Sequence, residues 1–543
     1  MASSSTHEIT NQSPPLAGLN LFTTDPALAA LVEGLPQAVL TELAAMGAAL
    51  GTPESFELGR LANQYPPVLK THDPTGVRID AVEFHPAYHA LMRRSVAAGL
   101  SSVWDTTGEE ARARTVARAA RFYMTAQVEC GHLCPMTMTN AAVAAVAHAP
   151  SVAEVWLPKV KARKYDAAQR PMADKAGVTF GMGMTEKQGG SDVGANTTRA
   201  EPADNAWRIT GHKWFLSAPA SDAFLVLAQA KEGLTCFLMP RFLPDGSRNN
   251  IRFMRLKDKL GNRSNASSEA EFDRAMAWQI GEAGRGIPTI IDMVTLTRLD
   301  CAIASAGIMR IAFAEAVHHA RHRKAFGALI VDQPLMTRVL ADMALDTCAA
   351  AALTFRLAES YDKAANDPSE AAFARLMTPT VKYWVTKIAP PMVGEAMECL
   401  GGNGYVEESR LPRLYREAPL NAIWEGTGNI MCLDVMRVLR KSSEPLEAVL
   451  ANIEDTLGGT AKSTLNVLRA ATAVALADEG SARILTEQLA MTVAAAALRR
   501  RFPAVIADAF LETRLGKPWR MTYGMLDSRF DAKSFVNYLA PAA

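Results

Sequence analysis

The chain lacks a surplus of either charge: 57 Lys and Arg stand against 56 Asp and Glu over 543 residues. A formal net charge of +1 excludes a global electrostatic pull towards nucleic acid or a membrane surface. A paired cysteine framework is also missing. The seven cysteines (130, 134, 236, 301, 348, 399 and 432) are odd in number and scattered, and the pair at 130 and 134 has no matching second pair. Reduced thiols and no metal site are expected from such a set. No apolar run approaches membrane-spanning length without a charge or a breaker, so no membrane partner is expected. Residues 1–8 lack the charge-then-apolar order of a signal peptide, and the expected compartment is the cytoplasm. What is left is a globular composition, 49% hydrophobic and 21% charged, in a chain too long for one core.

The texture of the sequence divides it into four domains. Residues 1–180 read as an irregular start, punctuated by Pro14-Pro15, Pro66-Pro67 and 73–76, followed by helices from Asp80 onward. Between 181 and 288 short β-type runs appear at 207–210, 213–216, 224–228, 235–239 and 251–256, which predicts a small barrel or sandwich. Long helical patterns return over 289–440, with Pro379 and Pro390-Pro391 expected as kinks or breaks. Residues 441–543 are again helical in pattern, near 464–476, 481–501 and 503–514. Two histidine groups stand out. His85 and His89 are spaced for one helix face, and His318, His319 and His322 are flanked by Arg321 and Arg323. Pro86 argues against a metal at the first, and a partly exposed basic face is the expectation for the second.

Chemistry concentrates in three glycine-rich stretches. At Trp424-Glu425-Gly426-Thr427, an aromatic, a carboxylate, a glycine and a hydroxyl stand together ahead of an apolar helical run. Gly426 and Gly428 let backbone N–H groups approach a ligand, and Thr427 suits the N-cap of a helix aimed at an anion. Glu425, packed on the Trp424 ring and partly out of water, suits a proton acceptor. A solvated loop carboxylate before an ordinary helix is the other reading these residues allow. The second stretch, 183–192, offers Thr185 and Ser191 as hydroxyl donors beside Gly189-Gly190. The third, Gly401-Gly402-Asn403-Gly404, closes a long helix and leads back through Arg413 and Arg416 to Glu425.

Residues 183–195 and 398–417 satisfy the two signature patterns of the acyl-CoA dehydrogenase flavoproteins, in the family's order and flanking the Glu425 turn. Over about residues 80–440 the chain resembles that family. Residues 51–92, 257–265 and 411–439 narrow the resemblance to its branch linked with the DNA alkylation response. The resemblance implies a mainly α fold with a central β domain. Its parts are a helical N-terminal domain, a small β-barrel and a four-helix bundle, here with a C-terminal helical extension. An oxidoreductase is implied, with non-covalent FAD, in which a carboxylate removes the α proton of an acyl-CoA while the β hydrogen passes to the flavin.

Carried over residue by residue, Glu425 falls on the catalytic base. Met184, Thr185, Gly190, Ser191, Phe215, Leu216 and Ser217 match positions that hold the isoalloxazine ring, and Trp424 stands beside it and the substrate. Thr427 and Asn429 match contacts to the FAD phosphates and ribose. Arg323, Phe326, Gln333, Gly401 and Gly402 match residues that reach the FAD of a neighbouring subunit, which implies a homotetramer built as a dimer of dimers. Arg298 falls where the family contacts CoA, with Thr295 in place of the usual acidic partner.

The same branch associates its C-terminal extension with double-stranded DNA. From Lys441 onward twelve Lys/Arg face eleven Asp/Glu, so any phosphate affinity must come from clustering. Arg437, Arg440 and Lys441, then Arg499, Arg500, Arg501, Arg514, Lys517 and Arg520, are the candidates, and a solvated charged face is the alternative. Two functions follow. One is dehydrogenation of a short branched, isovaleryl-like acyl-CoA with DNA binding in the alkylation response. The other is a FAD-stabilised DNA-binding protein with residual dehydrogenase activity.

Overall fold

The structure is a computed structural model describing residues 6–516, 523, 526 and 529–540. It falls into two compact units. One comprises Glu54–Ala304 with Ile423–Ile430, and the other comprises the residues up to Pro53, Ser305–Ala422 and those from Met431.

The first unit is built on a seven-stranded sheet. Its order is Phe180–Gly183, Ala206–Ser217, Arg199–Ala203, Ala223–Ala230, Gly233–Pro240, Ser267–Ile280 and Ile251–Leu256. A further pairing of Ala206–Ser217 with Ser267–Ile280 closes five of these strands into a barrel. The continuous apolar runs of Ala223–Ala230 and Gly233–Pro240 follow from burial on both faces. Phe224, Val226 and Ala228 join the barrel interior with Phe237, Met239 and Phe253. The alternating Leu225 and Leu227 join a second cluster with Trp156, Val143 and Met293, contributed by helices. Each such side chain contributes about 1.5–3 kcal/mol of transfer free energy. Gly211 marks a register shift in the strand Ala206–Ser217, which is why two separate runs were expected there and one strand is found.

Helices Pro86–Ala97, Arg114–Ala126, Leu133–Val146 and Pro150–Lys161 complete this unit, with the hairpin Val68–His72 and Arg78–Glu83. Arg118 and Asp300 form a buried two-pronged ion pair at 2.6 and 2.7 Å, and Thr137 also donates to Asp300. That pair fixes the rotation of the long helix Gly286–His322 at the turn carrying Thr297 and Arg298. This helix is apolar and long enough to cross a membrane by length and composition, but 89% of its most apolar window is buried inside the protein.

The second unit is helical. Its irregular start is shorter than the proline and glycine punctuation suggested: residues 6–25 carry no regular element, and helices Pro26–Leu31 and Gln37–Leu50 follow, well before Asp80. Asp25 caps the first through Leu28 N–H and pairs with Arg310. Helices Pro334–Lys363 and Pro368–Cys399 form its centre. The second runs through Pro379, Pro390 and Pro391 without a break, because packing on both sides outweighs the lost backbone hydrogen bonds. Helices Glu444–Leu457, Ala482–Arg501 and Ala532–Leu539 of the extension pack on these two within the same compact unit.

Candidate active site

Glu425 sits on a strained turn. Its φ is +57° and that of Gly426 is +99°; a non-glycine residue in this region costs on the order of 1–3 kcal/mol. Three features hold the turn in place. Trp424 packs against the apolar cluster beneath the sheet. The Arg298 Nε–H donates to the Glu425 carbonyl at 3.1 Å. Thr297 Oγ1 lies 2.8 Å from Glu425 Oε2 and 2.9 Å from the Val294 carbonyl oxygen. Arg298, matched to a CoA contact, is therefore 6% exposed and turned onto the backbone of the base. Thr297 was not singled out from the sequence. It lies 128 residues from its partner, and no local pattern announces such a contact.

The rival carboxylates are placed differently. Glu186 is buried and bonded by Lys213 Nζ at 2.8 Å, Thr197 N–H at 2.7 Å, Thr198 N–H at 3.2 Å and Gln188. Burial alone would raise its carboxyl, but the Lys213 ammonium and these donors outweigh it and hold it well below the ordinary range. A carboxylate so committed is a poor base. Glu407, in the other unit, is exposed and paired with Arg416, and Glu408 is exposed.

The residues matched to a flavin fit one. Thr185 follows the strand Phe180–Gly183, and its carbonyl accepts from Trp214 N–H at 2.9 Å. Lys213 Nζ (3.4 Å) and Asn196 Nδ2 (2.9 Å) both donate to the Met184 carbonyl. A Cβ at Gly190 would come within 2.4 Å of Thr185 Oγ1, so glycine there leaves the hydroxyl its place. Phe215 and Ser217 share one face of their strand while Leu216 turns into the barrel; the Phe215 ring is 44% exposed. Met184 and Trp424 pack on the same apolar cluster, which brings the two motifs together. Thr427 and Asn429 are exposed at the start of the helix Gly428–Lys441. Three hydroxyls, a glycine cradle and a partly exposed aromatic ring, with Lys257 Nζ 4.7 Å from its centroid, suit a flavin edge.

Comparison with known proteins decides the family. Residues 11–167 match the adaptive response protein AidB N-terminal domain, 181–275 the acyl-CoA dehydrogenase middle domain and 284–440 the acyl-CoA dehydrogenase C-terminal domain. The chain is 52% identical to AidB of Escherichia coli (strain K12) over 443 residues, 81% of each protein. The chain belongs to the acyl-CoA dehydrogenase family. It is also 34% identical to acyl-CoA dehydrogenase family member 11 of Caenorhabditis elegans, over 81% of this chain and 74% of that protein. Among solved structures, C. elegans ACDH-11 in complex with C11-CoA superposes with a TM-score of 0.84 at 28% identity, covering 100% of this chain and 94% of the other. The family is FAD-dependent, and its oxidoreductase chemistry agrees with the residues around Glu425.

The remaining acyl-CoA dehydrogenase positions lie in the helical unit. Phe326 is fully exposed at the tip of a two-residue hairpin, with φ +52° and Gly327 behind it. Gln333 donates back to the Ala325 carbonyl, and Gly401 and Gly402 form an exposed 3-10 turn. Arg323 donates to the Asn11 carbonyl at 2.6 Å, and Asn11 pairs reciprocally with the Lys324 backbone. The N-terminal segment is laid over the histidine group expected as a basic face. His318 Nε2 meets the Pro14 carbonyl, and His319 Nδ1 meets Ser13. Burial and neighbouring cations lower both imidazoles. In the first unit, His85 caps the helix Pro86–Ala97 and His89 bonds Tyr165; no group of three metal-ligating side chains forms among the described residues.

The arginines proposed for DNA are mostly engaged. Arg437 pairs with Asp434, Arg440 with Glu479, Arg499 with Asp508, and both Arg500 and Arg501 with Glu359. Arg514 is sunk between Asp342 and Asp346, whose charges raise it further despite its burial. Lys441 is exposed at its helix end, while Lys517 and Arg520 lie outside the described residues.

Proposed function

We propose that this chain is a FAD-dependent dehydrogenase of a short branched acyl-CoA, isovaleryl-like in size. The observation that carries the reading is the Glu425 turn, with its carboxylate held by Thr297 and its carbonyl by Arg298. Glu425 takes the α proton, and backbone N–H groups of its turn polarise the thioester carbonyl so that the α C–H becomes acidic enough to lose it. When bound, FAD is the two-electron acceptor for the β hydrogen. Thr185, Ser191 and Ser217 with Phe215 would hold its ring, and Thr427 and Asn429 would take its phosphate and ribose end. The fully exposed Phe326 ring supports a second copy covering that hairpin, in a homotetramer. The solved relative with C11-CoA makes an eleven-carbon acyl-CoA the comparison substrate. Anaerobic titration with isovaleryl-CoA is expected to bleach the flavin at lower concentration than undecanoyl-CoA. Bleaching by the longer substrate alone would move the specificity to long chains, and bleaching by neither would end the reading.

A second role, binding of duplex DNA, is supported by the match to the adaptive response protein domain over 11–167. All five arginines are paired, but Arg437 and Arg440 keep 69% and 49% of their side chains exposed against 30–31% for Arg499, Arg500 and Arg501, which favours Arg437, Arg440 and the exposed Lys441 as phosphate contacts.

A further inference from the structure

We propose that Thr297 is a positioning residue for the base, a proton-holding partner of Glu425 in both of its charge states. The inference rests on the dehydrogenase reading above and concerns one hydroxyl. Thr297 Oγ1 has a single hydrogen and two acceptors in reach, Glu425 Oε2 at 2.8 Å and the Val294 carbonyl at 2.9 Å. The side chain is 1% exposed, so its geometry is set by the protein rather than by water. The Val294 carbonyl already serves the helix, and the hydroxyl can leave it without stranding a buried acceptor.

With Glu425 ionised, Thr297 donates to the carboxylate, a charge-assisted bond that selects one rotamer of the base. On proton abstraction the α C–H bond breaks, an O–H bond forms on Glu425, and the C–H electron pair stays with the substrate. The new Glu425 O–H then donates to Thr297 Oγ1, whose own hydrogen turns back to the Val294 carbonyl. The hydroxyl thus has a donor–acceptor role before and after the transfer, and Glu425 keeps one position throughout. A valine of the same size offers neither half of this exchange, while a serine offers both.

Holding the helix rigid matters to this device. Asp300, one turn beyond Thr297, is gripped by Arg118 and Thr137, and Arg298 fastens the backbone of the Glu425 turn. The carboxylate and the hydroxyl are therefore presented from two fixed segments, with little freedom to search for each other.

Thr297→Val and Thr297→Ser in the full-length flavoprotein test the proposal. Two readouts are taken: anaerobic flavin bleaching by an acyl-CoA that bleaches the parent, and loss of α deuterium from that acyl-CoA into water, which follows the base alone. The valine variant should slow both by about ten- to a hundredfold. Its flavin content and its half-saturating acyl-CoA concentration should change less than about threefold, and serine should restore most of the rate. Valine at the parental rate, serine as slow as valine, or valine without flavin would each overturn the proposal, because the hydroxyl would then be idle or merely structural. A parent that neither bleaches nor exchanges would instead remove the dehydrogenase reading on which the proposal stands.

Discussion

Lys213 and Glu186, the residue after Thr185, form a fully buried ion pair 2.8 Å apart. Lys213 also reaches the Met184 carbonyl, so the two groups grip the backbone on either side of the residue matched to the flavin ring. Breaking a buried pair by removing one partner strands the other charge and costs about 3–5 kcal/mol.

Lys213→Met is therefore expected to lower thermal stability and release flavin, with Glu186→Gln milder. The Glu186 carboxyl is depressed in the folded protein, from an ordinary value of 4.5. Its stabilisation is present in full above that value and is lost as pH falls towards the folded value. The melting temperature of the parent should exceed that of Glu186→Gln by a constant margin above about pH 4.5, and the margin should shrink as pH falls below it. A margin that stays unchanged as pH falls below about 4.5 would show that the ionised pair does not clamp the loop.

Gly190 and Gly189 make a matched test of the cradle. A Cβ at Gly190 would press on Thr185 Oγ1 at 2.4 Å, whereas one at Gly189 meets nothing within 4 Å. Gly190→Ala should weaken FAD binding about tenfold or more and Gly189→Ala by less than threefold, as read by titration of the apoprotein. Equal affinities would place the flavin edge elsewhere.

The parts of the fold that were legible are those whose signal is local. Ala223–Ala230 and Gly233–Pro240 are unbroken apolar runs, and the Glu425 turn carries its glycines beside it. The strand Ser267–Ile280 was not legible, since its faces mix Glu271, Asp273 and Arg274 with Phe272 and Ala275. The helices at Pro26–Leu31 and Glu444–Leu457 were hidden, the first by the proline-rich opening and the second at the domain boundary. Long-range partners were beyond reach altogether. Thr297 meets Glu425 across 128 residues, and Glu359 meets Arg500 across 141. An arginine run reads as a free patch only while its acidic partners are unseen.

That last point changes the DNA experiment. Replacing Arg499, Arg500 and Arg501 with glutamine unpairs Asp508 and Glu359 and is expected to lower stability as well as charge. Gln at Arg437, Arg440 and Lys441 is the milder variant, because Asp434 keeps its pair with Arg375 and the Arg440–Glu479 pair is half exposed. Duplex binding should weaken without loss of flavin bleaching, be nearly independent of sequence, and lose about 0.9 from its log–log salt slope per phosphate contact removed. Parental affinity and slope in that variant would exclude this surface.

The central claim is that Glu425 is the base, and anaerobic bleaching of the Glu425→Gln flavoprotein tests it most directly. An amide preserves the shape of the side chain and the turn but cannot accept the α proton. The account predicts a variant with parental flavin content that bleaches at least about a thousandfold more slowly with the acyl-CoA that reduces the parent. Bleaching of Glu425→Gln at the parental rate would contradict it.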